Sequence, residues 1–183
     1  MNFSIIVATT ECGGIGNKNR LPWNKLSKDI RFFKEITTFS EYGKKNVVIM
    51  GRKTWESIPE KFRPLSNRIN IIISSKLELK VPECVFKAKD FKSMVDICKK
   101  LEKENKTDKF FIIGGSSVYK EAMENGVVDR IFLTKVLKEF ECDAFFPIDL
   151  LKKSFILKDK NSDIIDDNDV KIQFFEYVKF SGK

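Results

Sequence analysis

The sequence predicts one α/β domain spanning residues 1–183, with a mostly parallel sheet of about eight strands and helices on both faces. Apolar, β-branched runs recur along the chain, and segments with helical periodicity lie between them. The runs are almost continuously apolar, which is typical of strands buried on both faces of a sheet. The chain has 183 residues and contains no internal repeat and no Pro- or Gly-rich linker, so we expect a single domain.

The predicted strands and helices alternate along the chain. Strands are predicted at residues 3–9, 46–50, 69–73, 110–113 and 130–136. Helices are predicted at residues 26–37, 53–57, 92–104 and 116–124. The C-terminal runs SFILK and KIQFFEYVKF predict an antiparallel hairpin at the sheet edge, joined by the acidic loop DKNSDIIDDND. The segment GGIGNKN runs into LPW rather than into a helix, and it predicts a glycine-hinged loop that can act as a lid.

The composition disfavours several classes of protein. The net charge is +8, but the basic residues are scattered along the chain, so a polybasic nucleic-acid-binding tail is not expected. The four cysteines are widely spaced and form no Cys-x-x-Cys pair, which predicts reduced thiols in a cytoplasmic protein. The N-terminus lacks the pattern of a signal peptide, and no apolar run has the length of a membrane span.

The chain contains no histidine. This absence excludes Ser-His and Cys-His catalysis and any His-ligated metal site, and we predict no metal. Acid–base chemistry must therefore use a carboxylate, a lysine, a tyrosine or water.

The first predicted helix carries a carboxylate on its apolar side. In LPWNKLSKDIRFFKEI, the apolar residues that recur at the helical period are Leu26, Ile30, Phe33 and Ile36. Asp29 falls inside the same arc, with Ser27 as the predicted N-cap. An acid in the first turn interacts favourably with the helix dipole, but this does not explain why it faces the apolar side. Because burying an unpaired carboxylate is costly, a bound ligand is a candidate partner.

The segment FFIIGGSSVYKEAM predicts a strand, a Gly114-Gly115 turn, a serine N-cap at Ser116 or Ser117, and a helix. Paired glycines let the backbone approach a ligand, and the helix N-terminus offers unpaired N–H groups to an anion. The alternative is an ordinary tight turn with a serine cap. The turn is not the three-glycine dinucleotide fingerprint, because no third glycine follows. We predict a phosphate site here.

Three other predicted strands end in hydroxyl or basic residues. The segment VVIMGRKT ends in Arg52, Lys53 and Thr54. The segment INIIISSK ends in Ser74, Ser75 and Lys76, and CVFKAK ends in Lys87 and Lys89. Because ligands of open parallel sheets bind at the carboxyl ends of strands, these cations predict a polyanion such as a phosphorylated dinucleotide. A solvated basic surface is the alternative for each cluster taken alone.

Four segments, in this order, resemble those of the dihydrofolate reductases: IIVATTECGGIGNKNRLPW, NVVIMGRKTWESIPEKFRPLSNRINIIIS, FFIIGGSSVYKEAM and DAFFP. The resemblance covers essentially the whole chain and is nearest the eukaryotic monofunctional forms. It implies the fold of that family and an NADPH-dependent reduction of 7,8-dihydrofolate to tetrahydrofolate in one-carbon metabolism. It also implies inhibition by antifolates and a cytoplasmic enzyme that needs no nucleic acid or membrane. We expect a monomer unless the chain is part of a fusion with thymidylate synthase.

The resemblance also implies roles for individual residues on the substrate side. Asp29 would pair with N3 and the 2-amino group of the pterin, Thr134 would support it by a hydrogen bond, and Trp23 would order a nearby water. Arg68 would hold the α-carboxylate of the substrate. The residues implied to line the substrate pocket are Ile6, Val7, Ile30, Phe33, Ile58, Leu65, Ile113 and Tyr119.

On the cofactor side, the resemblance implies that the nicotinamide lies beside Ala8, Ile15 and Gly16. The Gly114-Gly115 turn, usually a cis peptide in this family, would cradle the phosphates together with Ser116, Ser117, Val118, Lys53 and Thr54. The adenosine 2′-phosphate would face Arg52, Ser75, Lys76 and Lys89, and Ser74 is also expected to bind the cofactor. Ser75 stands where many relatives have an arginine, so the grip on the 2′-phosphate is expected to shift to Lys76 or Lys89. Ile30 stands where vertebrate forms carry phenylalanine, which changes the pocket volume.

Two alternatives stay open on the sequence. One is a pyrimidine or pterin reductase of the same fold that uses NADPH on another heterocycle. Arg68, in the segment RPLSNR, favours a substrate with a carboxylate tail. The other is a basic nucleic-acid-binding protein, which would place aromatic residues among surface cations, whereas the aromatic residues here lie in apolar runs.

Overall fold

The computed structural model describes residues 1–76, 78–159 and 163–180 of the chain. The strands are β1 (Phe3–Thr10), β2 (Gly14–Gly16), β3 (Lys45–Gly51), β4 (Arg68–Ile73), β5 (Val85–Ala88), β6 (Thr107–Ile112), β7 (Val128–Val136), β8 (Ala144–Phe145), β9 (Phe155–Asp159), β10 (Ile165–Asp167) and β11 (Val170–Lys179). The helices are α1 (Ser27–Thr38), α2 (Arg52–Ser57), α3 (Phe91–Lys103), α4 (Ser116–Glu124) and α5 (Ile148–Ser154). The strands and helices predicted from the apolar runs are confirmed, with ends that shift by up to three residues.

Nine strands of the described residues form one sheet, in the order β10-β11-β7-β1-β6-β3-β4-β5, with β9 beside β11. The six strands from β7 to β5 in this order are parallel, so their carboxyl ends meet at one edge. Strand β11 runs antiparallel to β7, β9 and β10. The predicted α/β class, the mostly parallel sheet and the C-terminal antiparallel pair are confirmed.

Helices cover both faces of the sheet. Successive side chains of a strand point to opposite sides, so each face has its own set of strand residues that pack on the helices. On one face, strand residues such as Ile5 and Ile49 pack with α3, α4 and α5 through Met94, Tyr119 and Leu151. On the other face, Ile6, Val48 and Met50 pack with α1 and α2 through Phe32, Phe33 and Trp55. The central strands are buried on both faces, which explains their continuous apolar runs.

The predicted serine N-caps are wrong. Ser27 is the first residue of α1, and the N-cap is Leu26, whose side chain makes no capping hydrogen bond. Asp167 of β10 instead accepts the first N–H groups of α1. Ser116 is the first residue of α4, and Gly115 is its N-cap. The hydroxyl of Ser116 donates to the carbonyl oxygen of Phe145 instead of capping the helix.

Two connections differ from the predicted loops. The glycine-rich segment contains strand β2, which pairs with β8 inside the DAFFP segment, so it is not a simple loop. The acidic segment contains β10, although its residues 160–162 lie outside the described residues. The pair β9–β11 lies at one end of the sheet, as predicted, because the long strand β11 pairs with β7 on one side and with β9 and β10 on the other. The sequence pattern missed α5, a seven-residue helix after Pro147.

The four cysteines of the chain are all free thiols. Within the described ranges, no helix combines the length and the apolar character that a membrane crossing needs.

Candidate active site

Many of the predicted site residues converge on the edge where the parallel strands end, whereas Arg68 begins β4 at the opposite edge. Ala8 of β1 is opposite Thr134 of β7 near this edge. Gly51 ends β3 and Gly114 follows the neighbouring strand β6, and the backbone N–H of Gly51 donates to the carbonyl oxygen of Gly114 at 2.7 Å. Lys76 and Lys89 follow β4 and β5, which are also neighbours. The strand order therefore collects side chains from segments far apart in the sequence.

Asp29 lies in the first turn of α1 and accepts a hydrogen bond from the hydroxyl of Thr134. Thr134 is buried in β7, so the carboxylate is turned toward the sheet, as the helical period predicted. Burial raises the pKa of Asp29 to about 6; the Thr134 hydrogen bond opposes this rise and the charge of Asp167 adds to it. With a pKa near 6, the ionised form of Asp29 predominates about tenfold at pH 7.

Tyr119 and Trp23 are predicted site residues that carry a polar atom on a buried aromatic ring. The hydroxyl of Tyr119 is buried and donates to the carbonyl oxygen of Ile6 at 3.0 Å. Burial, and then the charge of Asp29, raise the pKa of Tyr119, so this phenol stays protonated. Trp23 is buried against Phe140 and Leu26, and its indole N–H has no acceptor in the described part of the chain. An unpaired buried donor suits the predicted role of Trp23 in ordering a water.

Most of the apolar residues predicted for the substrate side gather beside α1, but Val7 belongs to the core cluster on the other face of the sheet. Phe33, Ile58, Leu65 and Ile113 are partly buried and pack on the cluster that includes Ile6. Ile30 is 44% exposed, although it lies in the apolar arc of the helix. The protein therefore covers the inner part of this arc and leaves its outer part accessible to a ligand.

Arg68 begins β4 and is fixed by protein contacts. Its Nη1 donates to Oγ1 of Thr37 at 2.7 Å, its Nε donates to the carbonyl oxygen of Ser66 at 3.0 Å, and its guanidinium lies 5.8 Å from the ring centroid of Phe33. Partial burial lowers its pKa. No Asp or Glu among the described residues forms an ion pair with Arg68. The guanidinium is thus held in place with its charge available to an external carboxylate.

The loop before Arg68 is fixed by the buried side chain of Asn70. Asn70 accepts from the N–H of Leu65 at 2.9 Å and donates to the carbonyl oxygen of Leu65 at 3.0 Å. The peptide bond Arg63-Pro64 is cis. These contacts place Leu65 and Arg68 on the same side of the site.

The Gly114-Gly115 turn has the close packing that the sequence predicted. Its peptide bond is cis, as the family resemblance implied, and Gly114 has φ +123°, a backbone conformation that favours glycine. A Cβ atom at either glycine would lie 3.3 Å from Oγ1 of Thr54. The N–H groups of the first turn of α4 follow directly, and such groups have no acceptor within their own helix. The first N–H groups of α4 and the Thr54 hydroxyl thus lie close together at the Gly114-Gly115 turn.

The cations at the strand ends are placed together, but they differ in their contacts. The guanidinium of Arg52 is bound to both carboxylate oxygens of Glu56, at 2.8 and 2.6 Å, so it is not free as the sequence pattern suggested. Lys53, Ser75, Lys76 and Lys89 are exposed. Ser74 is buried, and its hydroxyl accepts from the N–H of Lys76 at 3.1 Å, so it shapes the turn after β4.

The segment with Ile15 and Gly16 is held to the C-terminal half of the chain. The N–H of Asp143 donates to the carbonyl oxygen of Gly16 at 2.9 Å, and the carboxylate of Asp143 accepts from the N–H of Lys18 at 2.8 Å. A Cβ atom at Gly14 would lie 2.4 Å from Sγ of Cys142, so only glycine fits there. Ile15 packs on the main core cluster, whereas Ala8 packs on the separate cluster that includes Trp23 and Leu26.

Sequence reasoning missed three residues that hold the site together, namely Asp167, Thr37 and Asn70. Each is buried and acts through hydrogen bonds to α1, Arg68 or Leu65. Asn70 does have a signal in the sequence, because it is a polar residue between apolar neighbours in the run INIII. Asp167 carries no such signal, because it sits in an acidic stretch without periodicity.

The comparisons with known proteins agree on one family. The family profile described as dihydrofolate reductase matches residues 2–179. The dihydrofolate reductase of Sus scrofa is 43% identical over 178 residues, which cover 95% of this chain and 96% of the pig protein. That of Schistosoma mansoni is 41% identical, over 97% of this chain and 96% of its own length. A viral dihydrofolate reductase from Saimiriine herpesvirus 2 is 40% identical, over 95% of this chain and 83% of its own length. The chain belongs to the dihydrofolate reductase family and is an enzyme of the oxidoreductase class.

Proposed function

We propose that this chain reduces 7,8-dihydrofolate with NADPH, adding a hydride at C6 and a proton at N5 to give tetrahydrofolate. The observation that carries the proposal is the Asp29 carboxylate, which is turned into an apolar site, hydrogen-bonded to Thr134 and given a pKa of about 6 by burial. A carboxylate in this setting is stabilised by a ligand that presents N–H donors. The family match and the relatives support dihydrofolate as that ligand.

The substrate side supplies a partner for each end of dihydrofolate. Asp29 would accept hydrogen bonds from N3 and the 2-amino group of the pterin. Phe33, Ile58 and Leu65 would contact the flat rings of the substrate, since they form the partly buried apolar surface beside α1. Arg68, held by Thr37, would bind the α-carboxylate of the glutamate tail through two parallel hydrogen bonds.

The residues on the cofactor side fit NADPH. The cis Gly114-Gly115 turn and Thr54 leave room for a close phosphate, because a Cβ atom at either glycine would crowd the Thr54 hydroxyl. Lys53, Lys76 and Lys89 supply positive charge at neighbouring strand ends, which suits the phosphates of NADPH. Ala8 and Ile15 would lie beside the nicotinamide. When it is bound, NADPH supplies the hydride.

The protein's part in the chemistry is to orient the pterin and to favour protonation at N5. Ionised Asp29 would hold the donor edge of the pterin and raise the basicity of N5. Asp29 would not give the proton directly, because it contacts the opposite part of the ring. Water would deliver the proton, and the buried N–H of Trp23 provides a donor that can hold such a water. Tyr119 is a poor proton donor, since burial raises its pKa.

The test is spectrophotometric NADPH oxidation by the purified chain, with and without dihydrofolate. We expect oxidation that depends on dihydrofolate and yields tetrahydrofolate. A matched assay with a dihydropterin lacking the glutamate tail separates the alternatives. Efficient reduction of the tail-less compound with no gain from the tail would favour a pterin reductase, and oxidation independent of both compounds would contradict the proposal.

A further inference from the structure

Asp167 makes an unusual set of contacts with the helix that carries Asp29. It ends β10 and is 2% exposed. Its Oδ1 accepts from the N–H of Ser27 at 2.9 Å. Its Oδ2 accepts from the N–H groups of Lys28 at 2.7 Å and Asp29 at 3.1 Å. One buried carboxylate therefore satisfies the first three N–H groups of α1.

Helix α1 has no cap of its own. Most helices begin after a Ser, Thr, Asp or Asn whose side chain accepts an N–H of the first turn. Here the N-cap is Leu26, which makes no such bond. The cap comes instead from a residue about 140 positions later in the chain. The positive end of the helix dipole balances the buried negative charge of Asp167.

The strand that carries Asp167 is joined to the strand that carries Thr134. Asp167 is opposite Val170 of β11, and Phe174 of β11 is opposite Thr134 of β7. At the same corner, the side-chain amide of Asn168 donates to the carbonyl oxygen of Lys25, just before α1. Thr134 contacts the side chain of Asp29, and Asp167 accepts the backbone N–H of Asp29. Both residues thus belong to one continuous part of the sheet.

We propose that Asp167 is a positioning residue for the reaction, because it fixes the first turn of α1 against the sheet so that Asp29 meets Thr134. The proposal rests on the proposed function of Asp29. Without Asp167, three N–H groups next to the site would lack a protein acceptor and the turn would be free to shift. A shift of about 1 Å in a group that orients the substrate costs up to roughly 10²-fold in rate.

The test compares Asp167→Ala, Asp167→Asn and Asp166→Ala. Asp166 is the matched control, because it is the exposed neighbour of Asp167 and pairs with Lys171. For Asp167→Ala we expect a single-turnover hydride rate roughly 10- to 100-fold lower with unchanged NADPH affinity. Asparagine keeps an acceptor oxygen and is a good cap, so Asp167→Asn should recover most of the rate. Asp166→Ala should match the wild type.

Hydrogen exchange at Ser27, Lys28 and Asp29 gives a readout that does not depend on activity. First-turn N–H groups normally exchange quickly, so protection in the wild type and its loss in Asp167→Ala are expected. Should the alanine variant not fold, the asparagine variant is compared with the wild type in the same two measurements. A wild-type rate without Asp167, or rate and NADPH affinity falling together, would overturn the proposal. If Asp29→Asn keeps full activity, the proposed role of Asp29 fails, and with it the role of Asp167, whatever the exchange data show. If the wild type does not oxidise NADPH in the presence of dihydrofolate, the proposed function itself fails.

Discussion

The substrate side and the cofactor side of the site are built in different ways. On the substrate side, charged side chains are held by other buried groups, as Asp29 is held by Thr134 and Arg68 by Thr37. On the cofactor side, the close contacts come from backbone at the Gly114-Gly115 turn, and the charges come from exposed lysines.

This difference predicts which variants alter chemistry and which alter affinity. A charged side chain that is already held in position needs no further alignment when the ligand binds. Removing such a side chain is therefore expected to have a large effect that is specific to that ligand. Exposed cations contribute less each, and salt screens them. The substrate side should therefore control the rate and the binding of dihydrofolate, and the cofactor side should control the choice and the affinity of the dinucleotide.

The largest expected effect is that of Asp29→Asn. Asparagine keeps the shape of the side chain but cannot carry the charge that raises the basicity of N5. We expect the single-turnover hydride rate at pH 7 to fall by roughly 10²- to 10⁴-fold, with the fold and NADPH binding retained. Acidifying the solution should restore much of the rate, because protons from solvent then reach N5. If the variant stays near the wild-type rate at pH 7, Asp29 has no part in the reaction and only interacts with the dipole at the start of α1.

The next effect is the loss of the substrate tail contact in Arg68→Ala. A hydrogen-bonded charge pair contributes about 1.5–3 kcal/mol, so dihydrofolate should bind roughly 10- to 100-fold more weakly. A tail-less pterin is the control ligand and should bind as before. Arg68→Lys should recover little, because an ammonium cannot form the two parallel bonds. Equal losses for both ligands, measured by titration, would make Arg68 a structural residue.

A smaller effect is expected for the choice between NADPH and NADH. Contacts from the lysines at the strand ends to the 2′-phosphate should favour NADPH at least about tenfold in catalytic efficiency. Because these cations are exposed, the preference should shrink as salt is added. The measurement is kcat/KM for both dinucleotides over a series of salt concentrations. Equal efficiency at low salt would show that the strand-end cations do not contact the 2′-phosphate.

The smallest expected effect is that of Glu56→Gln. Glu56 binds the guanidinium of Arg52 through both oxygens and so competes with a phosphate for it. Removing the charge should raise the affinity for NADPH about twofold, the size of an exposed helical ion pair, and leave NADH unchanged. Glu60→Gln is the matched control, since Glu60 pairs with Arg63 on the following turn. If NADPH affinity falls or stays the same, Arg52 does not reach the phosphate.

The sequence predicted those parts of the fold that depend on local patterns. Buried parallel strands need continuous apolar runs, so the strands around Ile5, Ile49 and Ile71 were visible. The helical period was enough to place Asp29 on the inner side of α1. The convergence of Thr54, Lys76 and Lys89 followed from the rule that parallel strands end at one edge.

The sequence could not predict contacts that depend on distant segments. Ser27 looked like a cap because serine is a common N-cap, but Asp167 supplies the acceptor from β10. The acidic stretch around Asp167 has no periodicity, so the burial of Asp167 could not be predicted from the sequence. Strands of two or three residues, such as β2 and β8, are likewise too short to show a period. The pairing of Arg52 with Glu56 depends on rotamers, and the sequence showed only that the pair was possible.

The most direct test of the account is the titration of the Asp29 carboxyl group, followed by carbon NMR in selectively labelled protein. In the free protein we expect a pKa of about 6, since burial disfavours the charged form. With NADP⁺ and folate bound, the pterin's N–H donors should lower this pKa well below that value, because they stabilise the carboxylate. A free-protein pKa near the ordinary value of aspartate, or a rise on folate binding, would contradict the claim that Asp29 faces inward to bind the pterin.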